Sequence, residues 1–357
     1  MHKERIGKVL KAMKEQNIPQ MLVSDPPSIF YLLGKWIHPG ERMLVLYLND
    51  QGEHRLFINE LFPVYEDLGV VKVWFKDTDK SVELVAKHVD TGTVGIDKNW
   101  PARFLLELMA VKSDCTYVNG SPIIDGIRTM KDDTEKDLMR KSSTLNDAAM
   151  GKVVELISSE YTEKKVVQEL LSIYEELGTE GPSFSPIIAY GANGADPHHG
   201  PDNSVLKEGD SIIIDIGTKY NSYCSDMTRT VFYRSVSPKA REVYNIVREA
   251  NARAISVIKP GVRFCDIDAA ARDYIEEKGY GKYFTHRTGH SIGIEVHDFG
   301  DVSSVNTDCV APGMIFSIEP GIYLTGDFGV RIEDLVMVTE DGCEVLNKFT
   351  KDLIVVE

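Results

Sequence analysis

Apolar residues recur with two different periods along this chain, and the switching between them outlines its elements. From Lys3 to Asn17 the apolar positions Ile6, Val9, Leu10 and Met13 fall on one face of a helix. Met21-Leu-Val-Ser, Arg42-Met-Leu-Val-Leu-Tyr-Leu and Val94-Gly-Ile-Asp are short apolar runs separated by turn formers such as Asp25-Pro-Pro, which is the pattern of strands. Residues 1–125 therefore read as an α/β domain, and they hold no cluster of ligand-type side chains. The stretch from Ser121 to Asp133 reads as the passage into a second domain, 132–357. Thr134-Glu-Lys-Asp-Leu then opens a long helix, with acidic residues where the helix dipole favours them.

In the second domain the pattern repeats. Helices are predicted over 134–158 and 162–177, followed by strands carrying Asp215 and Asp226. Further helices are predicted over 238–258 and 264–278, followed by strands carrying Glu319 and Glu333. Gly209 precedes Asp215 by the same interval as Gly313 precedes Glu319, and Asp-Ile-Gly217 mirrors Glu-Pro-Gly321. A duplicated unit that turns two carboxylate pairs toward each other makes a pseudo-twofold cleft lined with oxygen ligands.

Composition narrows the class. A chain of 357 residues favours two domains, and an apolar fraction of 43% is ordinary for a globular protein. No apolar stretch is long enough for a membrane span, and the N-terminus lacks the apolar core of a signal peptide, so a cytoplasmic location is expected. A formal net charge of −15 argues against nucleic acid as a partner. The five cysteines are scattered, without the spacing of a disulfide framework or a zinc–thiolate site.

The chemistry concentrates in five residues. Asp215, Asp226, Glu319 and Glu333 lie in or beside β-like apolar runs, where an isolated charge is costly unless something neutralises it; His290 stands in Gly289-His-Ser-Ile-Gly. Four carboxylates and one imidazole suit two divalent cations about 3.5–4 Å apart sharing a water of lowered pKa. Asp215 with Asp226, and His290 with Glu319, would each grip one ion, with Asp226 and Glu333 as bridges. His198, in a Gly/Asn/Pro-rich loop, and His297, near the end of the strand-like run Ile292-Gly-Ile-Glu-Val, are placed to stabilise an oxyanion or protonate a leaving nitrogen. Arg331 suits either orientation of a ligand carboxylate or a surface ion pair. His199 and His286 read as loop or supporting residues, and Cys224 as a packing residue.

The order Asp-Ile-Gly, Ser-Asp-Met-Thr-Arg-Thr, His-Arg-Thr-Gly-His-Ser-Ile-Gly, Ser-Ile-Glu-Pro-Gly and Val-Arg-Ile-Glu-Asp resembles the pita-bread metallopeptidases. Within them it is most similar to the proline-specific branch, the Xaa-Pro dipeptidases (prolidases) and Xaa-Pro aminopeptidases. Val23-Ser-Asp-Pro-Pro-Ser-Ile-Phe-Tyr-Leu-Leu-Gly34 resembles the opening of their creatinase-like N-terminal domain. The resemblance implies an α+β fold, a duplicated pita-bread catalytic domain behind a smaller α/β creatinase-like domain. It implies Asp215, Asp226, His290, Glu319 and Glu333 as dinuclear metal ligands, with Glu319 also catalytic. It makes His198 and His297 substrate-binding or proton-handling residues and Arg331 a supporting one. Mn²⁺ or Co²⁺ is implied as the activating metal, though Fe²⁺ and Zn²⁺ tolerate the same ligands, and a homodimer is implied. The expected activity is hydrolysis of the Xaa-Pro bond of dipeptides or of peptide N-termini by a metal-bridging hydroxide. A creatinase-like, metal-free C–N hydrolase and a non-catalytic peptide-binding module are the alternative readings. Ser291, where many relatives carry glycine, is the one departure, and it affects local backbone freedom rather than ligation.

Overall fold

The apolar runs of the first segment become the inner strands of a six-stranded sheet. Residues 1–357 are all described by the computed structural model, and they divide into two units, 1–128 and 129–357. The first unit runs α1 (Lys3–Glu15), β1 (Gln20–Val23), α2 (Pro26–Leu33), β2 (Val45–Asn49), β3 (Arg55–Asn59), β4 (Val71–Phe75), α3 (Ser81–Ala86), β5 (Gly92–Ile96), α4 (Ala102–Val111), β6 (Cys115–Asn119) and α5 (Ser121–Thr129). Its strands lie in the order β4-β3-β2-β1-β5-β6, with β1 antiparallel to β2 and parallel to β5. Central β1 is covered on both faces, which is why Met21, Leu22 and Val23 read as an unbroken apolar run. α1 stops at Glu15 because Asn17 adopts a left-handed φ of 55° and turns the chain into β1. The expected passage at 121–133 is largely the helix α5, which buries Ile123, Ile124 and Arg128.

The second unit runs α6 (Asp133–Leu156), α7 (Glu163–Glu176), β7 (Ile187–Tyr190), β8 (Ser211–Ile216), β9 (Lys219–Tyr220), β10 (Tyr223–Cys224), β11 (Met227–Tyr233), α8 (Pro238–Ser256), α9 (Phe264–Glu277), β12 (Gly289–His290), β13 (Asp301–Val302), β14 (Ile315–Ile318), β15 (Gly321–Leu324), β16 (Phe328–Arg331), β17 (Asp334–Val338), β18 (Cys343–Val345) and β19 (Val355–Val356). Local signals set the helix boundaries. Asp132 and Glu135 form a reciprocal capping box on α6, Thr162 caps α7, and Ser237 followed by Pro238 starts α8. None of the helices is long and apolar enough to cross a membrane.

The repeat is built into the backbone. Gly209 and Gly313 both take left-handed φ, 90° and 92°, at the turn into β8 and β14. In the first half Gly209 N donates to Tyr233 O at 2.9 Å and Tyr233 N to Asp210 O at 3.0 Å. The second half matches it, with Gly313 N to Val338 O at 3.0 Å and Val338 N to Met314 O at 2.9 Å. Each half also packs its own core, α6 and α7 against β7, β8 and β11, and α8 and α9 against β14 to β17. A buried asparagine on the first helix of each half ties helix to strand: Asn146 donates to Ile216 O at 2.8 Å, Asn251 to Ile318 O at 2.9 Å.

Register refines the pairing of the ligand-type residues. In the β8–β11 ladder Asp215 faces Thr228, and in the β14–β17 ladder Ile318 faces Asp334, which sets Glu333 beside Glu319 one step along. The ladder position of Glu333 thus corresponds to that of Thr228. Asp226 sits two residues before Thr228, so the halves share a frame without placing their carboxylates at identical positions.

Candidate metal centre

Strand ends bring the five ligand-type residues together. Asp215 lies near the end of β8, Asp226 just before β11, His290 at the end of β12, Glu319 just after β14 and Glu333 just before β17. They line one cavity of about 700 Å³, together with His198, His297 and Arg331 and an apolar wall that includes Phe184, Pro186 and Ile187. Asp226, His290 and Glu333 stand closest, each offering a ligand atom within 4.8 Å of the others. His290 Nε2 lies 3.6 Å from Asp226 Oδ2 and 3.5 Å from Glu319 Oε1.

The burial of these carboxylates is poorly compensated within the chain. Burial and then the charges of Glu333 and Asp215 push the Asp226 carboxyl well above its ordinary range. Burial and then Glu319 do the same to Glu333, and burial raises Glu319 to about 7. His290 is driven the other way, to about 3, by burial and by the His297 ring 4.2 Å from it, so its imidazole is neutral at physiological pH. Its Nδ1 lies 3.2 Å from Ser291 O, which fixes the proton there and leaves the Nε2 lone pair facing carboxylate oxygens.

Three buried oxygens, Asp215 Oδ1, Asp226 Oδ1 and Glu333 Oε1, have no hydrogen-bond partner. Native proteins rarely leave a buried acceptor unsatisfied. Oxygens and an imidazole lone pair converging in this way fit hard or borderline divalent cations, and no side-chain donor is placed to take their role.

The guanidinium that is hydrogen-bonded to this carboxylate set is that of Arg331, which is buried at 3% exposure rather than lying in a surface ion pair. It donates to Asp215 Oδ2 at 2.6 Å, Thr228 Oγ1 at 3.1 Å and Tyr323 OH at 2.9 Å. Thr228 Oγ1 passes its own hydrogen to Glu333 Oε2 at 2.8 Å. Tyr323 OH, already accepting from Arg331, gives its single hydrogen to His286 Nε2 at 2.8 Å, so His286 is neutral and carries its proton on Nδ1 toward Arg287 O. Ser317 Oγ donates to Glu319 Oε1 at 3.2 Å and accepts from His290 N at 3.0 Å. Cys224 is buried, and burial raises its thiol to about 12, which suits packing and not nucleophilic attack.

Sequence reasoning passed over Thr228, Ser317 and Tyr323. The signal for the first two was their position two residues from a ligand on an alternating strand; for Tyr323 there was none. His297 is not near the end of a strand. Residues 292–300 form an irregular loop in which Asp298 N donates to Ser291 O at 2.9 Å and Ser291 N to Gly300 O at 3.0 Å. Gly293 permits the close approach of Asp298 within this loop, because a Cβ there would lie 2.4 Å from Asp298 Oδ2. The loop still delivers His297 to the cavity.

Residues 137–340 match the metallopeptidase family M24, and residues 5–130 match the creatinase/prolidase N-terminal domain. The chain belongs to metallopeptidase family M24. As in that family, its second unit is the pita-bread catalytic domain, preceded by a creatinase-type domain, and members of the family bind divalent metals. An uncharacterized peptidase of Staphylococcus aureus is 33% identical over 355 residues, covering 97% of this chain and 99% of the relative. Among solved structures, a prolidase from Thermococcus sibiricus superposes with a TM-score of 0.96 at 32% identity, covering 100% of this chain and 99% of that one. An Xaa-Pro dipeptidase from Bacillus anthracis gives 0.90 at 30% identity, with 99% of each chain covered. The M24 member described here thus matches these proteins over essentially its whole length.

Proposed function

We propose that this chain is an Xaa-Pro exopeptidase that removes the residue preceding proline from dipeptides or from peptide N-termini. The observation that carries the reading is the convergence of Asp215, Asp226, His290, Glu319 and Glu333 on one cavity in which three buried carboxylate oxygens have no partner. The full-length similarity to a prolidase and an Xaa-Pro dipeptidase supports proline as the residue after the scissile bond. A non-catalytic module has no use for a complete donor set, and nothing in the cavity favours it.

Those five residues would hold two divalent ions, Mn²⁺ fitting the oxygen-rich set, and the ions would supply Lewis acidity and a water of lowered pKa. Glu319 takes up the proton of the attacking water and returns it to the leaving nitrogen. His198 and His297, both exposed at the cavity lining, donate hydrogen bonds to the developing oxyanion and to the proline carbonyl. Phe184, Pro186 and Ile187 give the pyrrolidine ring an apolar wall. Arg331 holds Asp215 in place and offsets part of the negative potential between metal loadings.

A substrate panel tests the reading. The Mn²⁺-loaded protein is given Xaa-Pro, Xaa-Pro-Xaa and the matching Xaa-Ala dipeptide. Proline substrates cleaved at least ~10-fold faster than the alanine analogue, about 1.4 kcal/mol of discrimination, agree with it. Equal rates on both would overturn the proline assignment.

A further inference from the structure

His198 reaches the cavity from an irregular loop, and only its backbone N–H, bound to Asp196 Oδ1 at 3.0 Å, is hydrogen-bonded. The reach of its imidazole is therefore set by how the loop itself is fastened. On one side the loop rests on β16. A Cβ at Gly329 would lie 1.8 Å from Gly194 O, and Arg331 Nη1 is 3.4 Å from Pro197 O. On the other side a single residue gathers it. Glu163, in the first turn of α7, is fully buried, and its carboxylate takes four N–H groups from the loop. Oε1 accepts from Tyr190 N at 2.8 Å and Asn193 Nδ2 at 2.9 Å; Oε2 accepts from Asp202 N at 2.8 Å and His199 Nε2 at 2.7 Å.

These donors flank His198 on both sides of the sequence. The trio Glu163, His199 and Asp202 also has the spacing of a cation site. Both Glu163 oxygens, however, are already filled by N–H donors, so the cluster is a hydrogen-bond knot and not a place for a metal. The negative charge is further favoured by the N-terminal end of α7.

We propose that Glu163 is a positioning residue for turnover, fixing the imidazole of His198 through Tyr190 and Asn193 before it and through His199 and Asp202 after it. The inference rests on the role given to His198 above. Glu163→Gln keeps the volume but replaces one acceptor oxygen with an NH2 group, leaving two of the loop donors unpaired. In the Mn²⁺-loaded protein, kcat on an Xaa-Pro dipeptide is expected to fall ~10–100-fold, the usual effect of losing an orienting partner, with Mn²⁺ affinity unchanged. In the metal-free protein the amides of Tyr190 and Asp202 should exchange with solvent faster. The deciding readout is a double-mutant cycle with His198→Ala. If Glu163 acts through His198, Glu163→Gln adds no further loss of kcat in the His198→Ala background.

His199→Ala, a milder change at a half-buried side chain, keeps the test open should Glu163→Gln fold poorly; its smaller loss of kcat should likewise vanish when His198 is absent. Independent, multiplicative losses with a slow His198→Ala variant would overturn the inference while leaving the peptidase reading intact. A His198→Ala variant as fast as wild type would remove both the role of His198 and this inference.

Discussion

Replacing Arg331 by methionine separates the charge of the guanidinium from its bulk. The side chain is buried, and it supplies the cation at Asp215 as well as donors to Thr228, Tyr323 and Pro197 O. Removing one partner of a buried ion pair costs ~3–5 kcal/mol, because the other charge is left uncompensated. For a unit of this size each kcal/mol moves Tm by ~2–4 °C, so a drop of ~6–20 °C is expected in the metal-free protein. Bound cations neutralise the same carboxylate, so the deficit should shrink to the lost hydrogen bonds, ~1–3 kcal/mol, once Mn²⁺ saturates the site. Calorimetry of wild type and Arg331→Met, each chelated and then Mn²⁺-loaded, measures both differences. Equal losses in the two states would refute the view that Arg331 and the metals compensate the same charge. An unchanged Tm in the chelated protein would refute the ion-pair assignment itself.

Metal binding should displace protons. Glu319 titrates near 7, and Asp226 and Glu333 lie above their ordinary range, so below pH 7 cations compete with protons for these oxygens. The apparent Mn²⁺ Kd should weaken by at least ~10-fold per pH unit under pH 7, and calorimetric titrations in buffers of different ionisation enthalpy should record the released protons; none at pH 6 would contradict the assignment. Asp226→Asn should abolish activity yet stabilise the metal-free protein at pH 8 by ~1–3 kcal/mol. The sign follows from its raised pKa: the folded state disfavours the ionised form, so the penalty grows as pH rises and vanishes below the carboxyl range of the unfolded chain. Chemical denaturation at pH 8 and pH 4 checks this. Thr228→Val, which keeps shape but removes the donor to Glu333 and the acceptor for Arg331, should weaken Mn²⁺ binding ~10–100-fold, measured by competition with a metallochromic chelator.

The residues that were legible in the sequence are those whose neighbours make them improbable. Asp215 follows three isoleucines in a strand buried throughout, where a carboxylate needs a compensating partner. The repeat was equally legible, because Gly209 and Gly313 mark left-handed turns that few other residues tolerate. What stayed hidden was anything set by a partner distant in the chain. Arg331 stayed open between orienting a ligand carboxylate and a surface ion pair because sequence does not reveal that Asp215 lies 2.6 Å from its Nη2. Glu163 gives no signal in the sequence, since the four donors it holds come from a segment about thirty residues later. The alternation of Ile292, Ile294 and Val296 suggested a strand, but the segment folds back on itself, Asp298 N donating to Ser291 O and Ser291 N to Gly300 O. Local pattern specifies element and face. Which polar groups meet is decided by how the two halves close.

The most direct test of the account is metal content and Xaa-Pro hydrolysis measured on one sample through chelation and Mn²⁺ add-back. The account predicts that activity disappears as metal is stripped and returns with rebinding of about two ions per chain, and that neither happens in Glu333→Gln. Undiminished hydrolysis by a chain shown to be free of metal would contradict it.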